Sequence, residues 1–150
     1  MHIEMTKPLD LSAMENCVCF NLRWVSRSIT QHFESQLRHH GLLPTQTPIL
    51  AALAVQPTAD MAGLSDWLGM DRTTLVRVLR PLERDGLIRV TGRGRGRKVE
   101  LSITPKGRAA LKKFVPDWRK AQRKVVETLG EDRWSAILSD LERASLALSK

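Results

Sequence analysis

The feature that most limits how this chain folds is a pair of helical patterns separated by a very short turn. Apolar residues recur at helical spacing in residues 60–68 and again in residues 72–84, and only residues 69–71 lie between them. Asp60 and Asp71 stand where a helix N-cap is expected, since a short polar side chain there accepts a hydrogen bond from the first turn. Two helices joined by so short a turn are typical of a helix-turn-helix.

A strand pattern, a glycine-rich turn and a second strand pattern follow at once. Residues 98–103 alternate polar and apolar side chains, which is the period of a half-buried strand, and residues 87–91 supply its partner. Between them, residues 92–96 alternate glycine with arginine. Because glycine permits tight turning, we expect a two-stranded hairpin, or wing, with its tip at these residues.

Long helical patterns lie on both sides of this unit. The first stripe ends near Gly41 and comprises Val18, Leu22, Val25, Ile29, Phe33 and Leu37. Apolar residues on a second side of that helix suggest a partner, for which another subunit is the natural choice. Thr45 or Thr47 is the expected cap of the next helix, and Thr104-Pro105 opens the C-terminal helices.

The sequence therefore predicts a mainly α (α+β) fold, a winged helix-turn-helix with long N- and C-terminal dimerisation helices. Residues 44–103 form the predicted DNA-binding region, and residues 1–43 and 104–150 form the helical dimerisation region.

Positive charge is concentrated in the predicted winged region. The 150-residue chain has a formal net charge of +8. From Arg72 to Lys98 there are nine basic residues against two acidic ones, so most of the excess lies in one segment. This distribution favours nucleic acid as the partner, because a basic surface attracts the phosphate backbone.

Two sets of side chains are the candidate contacts to double-stranded DNA. The second helix would enter the major groove, where arginine and threonine read base edges. Its candidates are Arg72, Thr73, Thr74, Arg77 and Arg80. The wing would reach the narrow, negative minor groove or the phosphates. Its candidates are Arg93, Arg95, Arg97 and Lys98. Thr45 completes the predicted surface and lies at the start of an earlier helix, the one that follows Gly41.

Other classes of protein are disfavoured. There is no apolar run of membrane-spanning length and no secretory leader pattern, so we expect a cytoplasmic protein without a membrane partner. No paired carboxylates, nucleophile elbow or phosphate loop indicate an enzyme or a cofactor. The histidines show no metal-ligand spacing with Cys17 and Cys19, so no metal is predicted.

These segments, taken in order, resemble the MarR family of bacterial transcription regulators. The resemblance extends over nearly the whole chain, and no single piece of it is specific. It is carried by His40-Gly41-Leu42, Thr45-Gln46, residues 64–75, residues 82–88 and residues 99–107. It implies a homodimer whose first and last helices intertwine and whose two winged regions read a pseudo-palindromic operator. The family usually represses transcription and is released by a small molecule or an oxidant.

The resemblance also suggests an effector site and shows one departure. Family pockets for aromatic ligands lie between the dimerisation helices and the winged region, where Trp24, Arg27 and Trp67 are candidates; ordinary core packing of both tryptophans is the alternative. The family's wing usually carries Asp-Arg-Arg, whereas this chain has Arg95-Gly96-Arg97. Arg97 is thus the best minor-groove candidate, and the usual acidic brace of the wing is missing.

Two alternative functions remain open at this point. The region around Cys19 resembles the OhrR branch, which senses peroxide through a cysteine, so Cys19 or Cys17 is a redox candidate. The chain lacks the tyrosines that support the thiolate in that branch, and both cysteines fit equally as small apolar residues. The other alternative is an architectural protein that binds DNA without sequence preference.

Overall fold

Helices form most of the structure, a computed structural model that describes residues 15–56, 58–92 and 98–148. The N-terminal part contains α1 (Val18–Leu37), a 3₁₀ turn (Arg38–His40) and α2 (Thr47–Val55). The middle contains β1 (Ala59–Asp60), α3 (Met61–Leu68), α4 (Arg72–Arg84), β2 (Ile88–Thr91) and β3 (Glu100–Ile103). The C-terminal part contains α5 (Pro105–Leu129) and α6 (Glu131–Leu148). None of these helices has both the length and the apolar composition that a membrane crossing requires.

Within the described residues, the wing sheet has three strands where the sequence predicted two. All pairs are antiparallel, and β3 lies in the middle, so that Leu101 is opposite Ala59 on β1 and Val90 on β2. Strands β2 and β3 form the predicted hairpin, and β1 adds a third strand that was not predicted. Strand β1 has only two residues, too few for an alternating pattern to appear in the sequence. Because β1 leads directly into α3, its pairing with β3 connects the sheet to the start of that helix.

Three predicted helix starts are confirmed by side-chain hydrogen bonds. Asp60 Oδ1 accepts from the Gly63 N–H of α3 at 2.8 Å, and Asp71 Oδ1 accepts from the Thr74 N–H of α4 at 2.9 Å. Thr104 Oγ1 accepts from the Gly107 N–H of α5 at 3.0 Å. Each bond satisfies an N–H that the helix leaves without a partner in its first turn.

The predicted cap of α2 was wrong. Gln46 occupies the cap position, makes no side-chain bond to the first turn and instead accepts the Leu43 N–H through Oε1 at 2.9 Å. Thr47 is the first helical residue and donates its hydroxyl to the Leu43 carbonyl at 3.2 Å, while Thr45 lies exposed in the preceding turn. The polar side chains therefore stabilise the turn before α2, and Gln46 is buried in doing so.

One hydrophobic core joins the winged region to the helices on either side of it. Leu53 of α2, Leu75 and Leu82 of α4, Leu101 of β3 and Phe114 of α5 are all fully buried within it. Each such side chain contributes about 1.5–3 kcal/mol through removal from water. This core fixes the relative positions of α4, the sheet and α5.

Two helices leave large apolar side chains uncovered. Exposed residues on α1 are Val18, Phe20, Leu22, Trp24 and Val25, and those on α6 are Ile137, Leu138, Leu141, Leu146 and Leu148. Helix α6 has no buried residue at all within the described part of the chain. Apolar surface of this extent is typical of a protein interface.

Candidate nucleic-acid interface

Helix α4 begins at a turn that fixes the direction of its first residues. Gly69 ends α3 in the left-handed conformation, with φ of 60°. The Asp71 carboxylate then accepts the Thr74 hydroxyl at 2.6 Å and the Thr74 N–H at 2.9 Å. These bonds, the hydroxyl first, lower the pKa of Asp71, so the carboxylate is ionised at neutral pH. A negative charge at this end of a helix interacts favourably with the helix dipole.

The arginines of α4 lie on the face opposite its buried stripe. Leu75, Leu79 and Leu82 are buried, whereas Arg72, Arg77 and Arg80 are exposed, as the sequence predicted. Among the described residues, none of these three arginines forms an ion pair. Their guanidinium groups are thus available for an external acceptor, and the fork geometry of arginine suits guanine edges and phosphates.

The two threonines at the start of α4 differ in their hydrogen bonding. Thr73 is exposed and lines a shallow depression together with Arg72, Arg77 and Arg80. The Thr74 hydroxyl already donates its hydrogen to Asp71. For base contact, Thr74 therefore retains only its methyl group and the acceptor lone pairs of its oxygen.

The base of the wing is held to the start of α3. Lys98 Nζ lies 2.8 Å from Asp60 Oδ2. The hydrogen bond from Lys98 and then the N–H of Gly63 lower the pKa of Asp60, and the same ion pair raises the pKa of Lys98. Lys98, predicted as a DNA contact, thus has a partner within the protein. Arg93, Arg95 and Arg97 lie outside the described residues, and their role stays a prediction.

Gly92 starts the turn of the wing and admits no larger residue without a shift. Its φ is +76°, and a Cβ there would overlap the carbonyl oxygen of Lys98 on the facing strand. The two sides of the wing therefore approach closely where the hairpin leaves the sheet, as a thin tip requires.

A basic groove separates α4 from the wing sheet. It has a volume of about 510 Å³, and Arg72, Arg80 and Arg84 line its α4 side while Val90 and Val99 line its sheet side. Arg84 also pairs with Asp85, Nε to Oδ1 at 2.9 Å, which neutralises part of its charge. The acidic Glu83 also lines the groove, so Arg72 and Arg80 supply most of its positive charge among the described residues. A concave cationic surface between a helix and a wing fits the phosphate backbone of a duplex.

Comparison with known proteins agrees with this geometry. Residues 40–98 match the sequence profile of the MarR family. The M. tuberculosis transcriptional regulator MosR, solved in complex with DNA, is 36% identical, with 89% of this chain and 99% of that chain covered and a TM-score of 0.77. The chain belongs to the MarR family. It is a DNA-binding transcriptional regulator, and MarR proteins are not enzymes.

Two further solved structures support the fold. The transcriptional repressor CouR, bound to a 23-mer DNA duplex, is 25% identical, with 93% of this chain and 99% of that chain covered and a TM-score of 0.78. PcaV from Streptomyces coelicolor is 19% identical, with 96% and 100% covered and a TM-score of 0.81, and shows the fold alone. No match was found among curated proteins. The predicted family and the winged helix-turn-helix fold are confirmed.

The residues predicted to line a MarR effector pocket are not gathered in one cavity of the single chain. Trp67 lines an open cavity of about 570 Å³ together with Val55 and Ala59. Trp24 and Arg27 lie exposed on α1 and do not line it. Neither tryptophan is in the buried core, so the core-packing alternative does not hold for this single chain.

A different, mostly apolar cavity lies where α1, α2 and α5 meet. Its volume is about 450 Å³, which is within the range of small-molecule sites. Its walls are Phe33, Leu37, Pro44, Thr47, Pro48, Ala51, Leu111, Phe114, Val115 and Trp118. The sequence places these apolar residues on helix faces, but that pattern predicts only that they are buried. Their packing in the structure shows that a space is left between them.

Both cysteines are free, and they differ in position. Cys17 is the residue before α1, with an extended backbone, and is half-buried. Cys19 lies in the first turn of α1 and is exposed. Only Cys19 lies on the helix itself. Cys19 is therefore the more accessible of the two redox candidates.

Proposed function

We propose that this MarR protein is a homodimeric repressor that reads a pseudo-palindromic operator and is released by a small aromatic ligand. The observation that carries the proposal is the unpartnered apolar surface of α1 and α6, which flank a winged region whose α4 arginines face outward. Joining two copies through these helices sets a fixed distance between two α4 helices. Dimers of this kind bind half-sites spaced by about one helical turn of DNA.

The exposure of α6 supports the proposed dimer. This helix of 18 residues has no buried side chain in the described chain, although Ile137, Leu138 and Leu141 recur along one of its faces. Because most helical stability in proteins comes from packing of an apolar face, α6 needs tertiary or quaternary packing. The exposed apolar residues at the start of α1 provide a surface of the same character.

Sequence reading is assigned to α4, with Arg77 as the central base contact. Arg77 is exposed, forms no ion pair within the described residues and lies one turn into the helix beside Thr73. Arg72 and Arg80, which line the groove toward the sheet, are assigned to phosphates. Thr45, Arg93, Arg95, Arg97 and Lys98 complete the proposed surface on the sequence argument alone.

The effector is assigned to the cavity between α1, α2 and α5. It joins α1 and α5, which flank the winged region, to α2 of that region, and Phe33, Phe114 and Trp118 offer aromatic faces. A ligand that binds one dimer geometry more tightly than another increases the population of that geometry. The spacing of the two α4 helices then changes with it.

The decisive experiment selects bound sequences from random DNA and then compares specific with scrambled duplexes by fluorescence anisotropy. We expect Arg77→Ala to weaken specific binding by roughly tenfold or more, since a bidentate base contact contributes about 1–3 kcal/mol. We expect Arg97→Ala to weaken binding to the specific and the scrambled duplex equally and to reduce the salt dependence of that binding. Arg119→Ala, an exposed arginine of α5 outside this surface, is the matched control.

Two outcomes of this experiment contradict the proposal. A wild-type protein that binds specific and scrambled duplexes equally is an architectural DNA-binding protein. Equal losses in Arg77→Ala and Arg119→Ala mean that general charge, and not the α4 face, determines binding. Screening aromatic acids and phenols against the selected duplex then tests release, with Trp118→Ala expected to reduce the response.

A further inference from the structure

A cluster of two imidazoles and one carboxylate joins the end of the N-terminal helix to α5. The 3₁₀ turn after α1 carries His39 and His40, and Gly41 ends it with φ of 67°. Both rings face Asp117, with His39 Nε2 at 3.2 Å and His40 Nε2 at 3.1 Å from the same oxygen, Oδ2. Spacing along the chain does not reveal this cluster, because Asp117 lies 77 residues after His40.

The separations suit a common metal centre. The three candidate ligand atoms all lie within 4.8 Å of one another. Zinc binds histidine nitrogen and carboxylate oxygen at about 2.0–2.1 Å in tetrahedral geometry, which places neighbouring ligand atoms about 3.3–3.4 Å apart. The two nitrogen–oxygen distances already lie within a few tenths of an ångström of that value. The two nitrogens lie no more than 4.8 Å apart, and side-chain movement would bring them to the same separation around an ion.

The surroundings orient two of the three ligands. Lys120 Nζ lies 3.2 Å from Asp117 Oδ1, the oxygen that the histidines do not use. Hydrogen bonding of this kind to a ligating carboxylate is typical of metal sites. His40 packs its ring edge-to-face on Phe114 at 5.4 Å and is only 13% exposed, so its ring is held in place.

The cluster opens onto a cavity that can hold a further ligand. This cavity has a volume of about 530 Å³, and His32, Gln36, His39, Asp117, Lys120 and Lys124 line it. The Nε2 atom of His32 is buried without a hydrogen-bond partner among the described residues. His39 is 61% exposed, which leaves one side of the cluster accessible to solvent and gives an ion a path of entry.

We propose that His39, His40 and Asp117 bind one divalent transition-metal ion per subunit, with Zn²⁺ as the best match and water in the fourth position. Two imidazoles and a carboxylate with an open position form a donor set that suits zinc and other first-row divalent ions rather than Ca²⁺ or Mg²⁺. The ion would fix the end of α1 to α5. This site is separate from the α4 arginines and goes beyond the proposed repressor function.

The test is a Zn²⁺ titration of the tag-free, full-length protein in competition with a chromophoric chelator. The starting variant carries Cys17→Ser and Cys19→Ser, because free thiols bind zinc strongly on their own. We expect one Zn²⁺ per subunit, a higher Tm with Zn²⁺ present, and the visible absorption of tetrahedral Co²⁺ when Co²⁺ replaces it. We expect Asp117→Asn and His40→Gln to weaken binding by at least about tenfold, since loss even of outer-shell partners costs 10–100-fold.

His32→Gln is the matched control, because His32 lines the same cavity but is not one of the three ligands. It should keep the stoichiometry and the Co²⁺ spectrum. Where His40→Gln fails to fold, His39→Gln replaces it, since that exposed ring contributes little to packing. The proposal is overturned by absence of stoichiometric Zn²⁺ binding, by unchanged binding in Asp117→Asn, or by an equal loss in His32→Gln.

Discussion

Lys98 Nζ and Asp60 Oδ2 lie 2.8 Å apart, so one ion pair connects the base of the wing to the N-cap of α3. MarR wings usually contain an acidic residue near the tip, and this chain has Arg95-Gly96-Arg97 at those positions. Asp60 ends β1 and is outside the hairpin of β2 and β3, yet its carboxylate holds that hairpin at Lys98. The ion pair therefore provides a brace from a different part of the chain.

Removing this ion pair should weaken DNA binding more than it weakens folding. We expect Lys98→Met to lower affinity for specific and scrambled duplexes, both through the lost charge and through a less restrained wing. Asp60→Asn leaves the Lys98 charge in place, so a loss of affinity in that variant reports on restraint alone. Lys112→Met, an exposed lysine of α5, is the control. Unchanged affinity in Asp60→Asn would show that the ion pair does not position the wing.

The Asp71 cap should make the stability of α4 depend on pH. Bonds from Thr74 lower the pKa of Asp71 below its usual 3.8 in the folded state. The stabilisation is therefore complete above about pH 4 and is lost as the pH falls through the folded-state pKa. Comparing Tm of the wild type and Asp71→Ala at pH 7 and pH 3 should show a difference that shrinks in acid. Asp71→Asn, which can cap but not ionise, should show a weaker pH dependence relative to the wild type.

Phe114 should be among the most important side chains for stability. It is 1% exposed and lies in the core between α5 and the winged region. Phe114→Ala is expected to cost about 3–5 kcal/mol of unfolding free energy, the usual cost of emptying such a site. Val55→Ala, at a residue 83% exposed, should change it by less than about 0.5 kcal/mol. Urea unfolding at fixed protein concentration measures both, and similar values would contradict the packing described.

A charge placed on α6 should prevent self-association. We expect Leu141→Arg to convert a dimer into a monomer in size-exclusion chromatography with light scattering, because the charge would be buried in the proposed interface. Val55→Arg places the same charge on an equally apolar, exposed position of α2 and should leave the dimer intact. A monomeric wild type, or a dimeric Leu141→Arg, would argue against the α1–α6 interface.

The peroxide alternative makes a prediction about one cysteine. Organic hydroperoxide oxidises a reactive thiolate to a sulfenic acid and is itself reduced to an alcohol. If exposed Cys19 is such a sensor, hydroperoxide should release the wild type from DNA and should not release Cys19→Ser, whereas Cys17→Ser should respond normally. Release that is equal in all three proteins, or absent from the wild type, would leave both cysteines as packing residues.

Much of the fold could be predicted because the relevant interactions are local. The Asp71 cap bonds to Thr74, three positions later, and the buried stripe of Leu75, Leu79 and Leu82 repeats at the helical period. The arginine face of α4 follows from that same period. Strand β1 could not be predicted, since its two residues are ordered by pairing with Leu101 and Glu100 from a distant part of the chain.

The sequence by itself determined that α4 exposes arginines, that Asp60, Asp71 and Thr104 start helices, and that a basic hairpin follows. Hydrogen bonds and periodicities within a few residues specify all of these. Only the tertiary structure decided that Lys98 pairs with Asp60, that Trp24 and Trp67 do not share a cavity in one chain, and that His39 and His40 meet Asp117. Those contacts depend on how packing of the core brings distant segments together. No local sequence pattern encodes this packing.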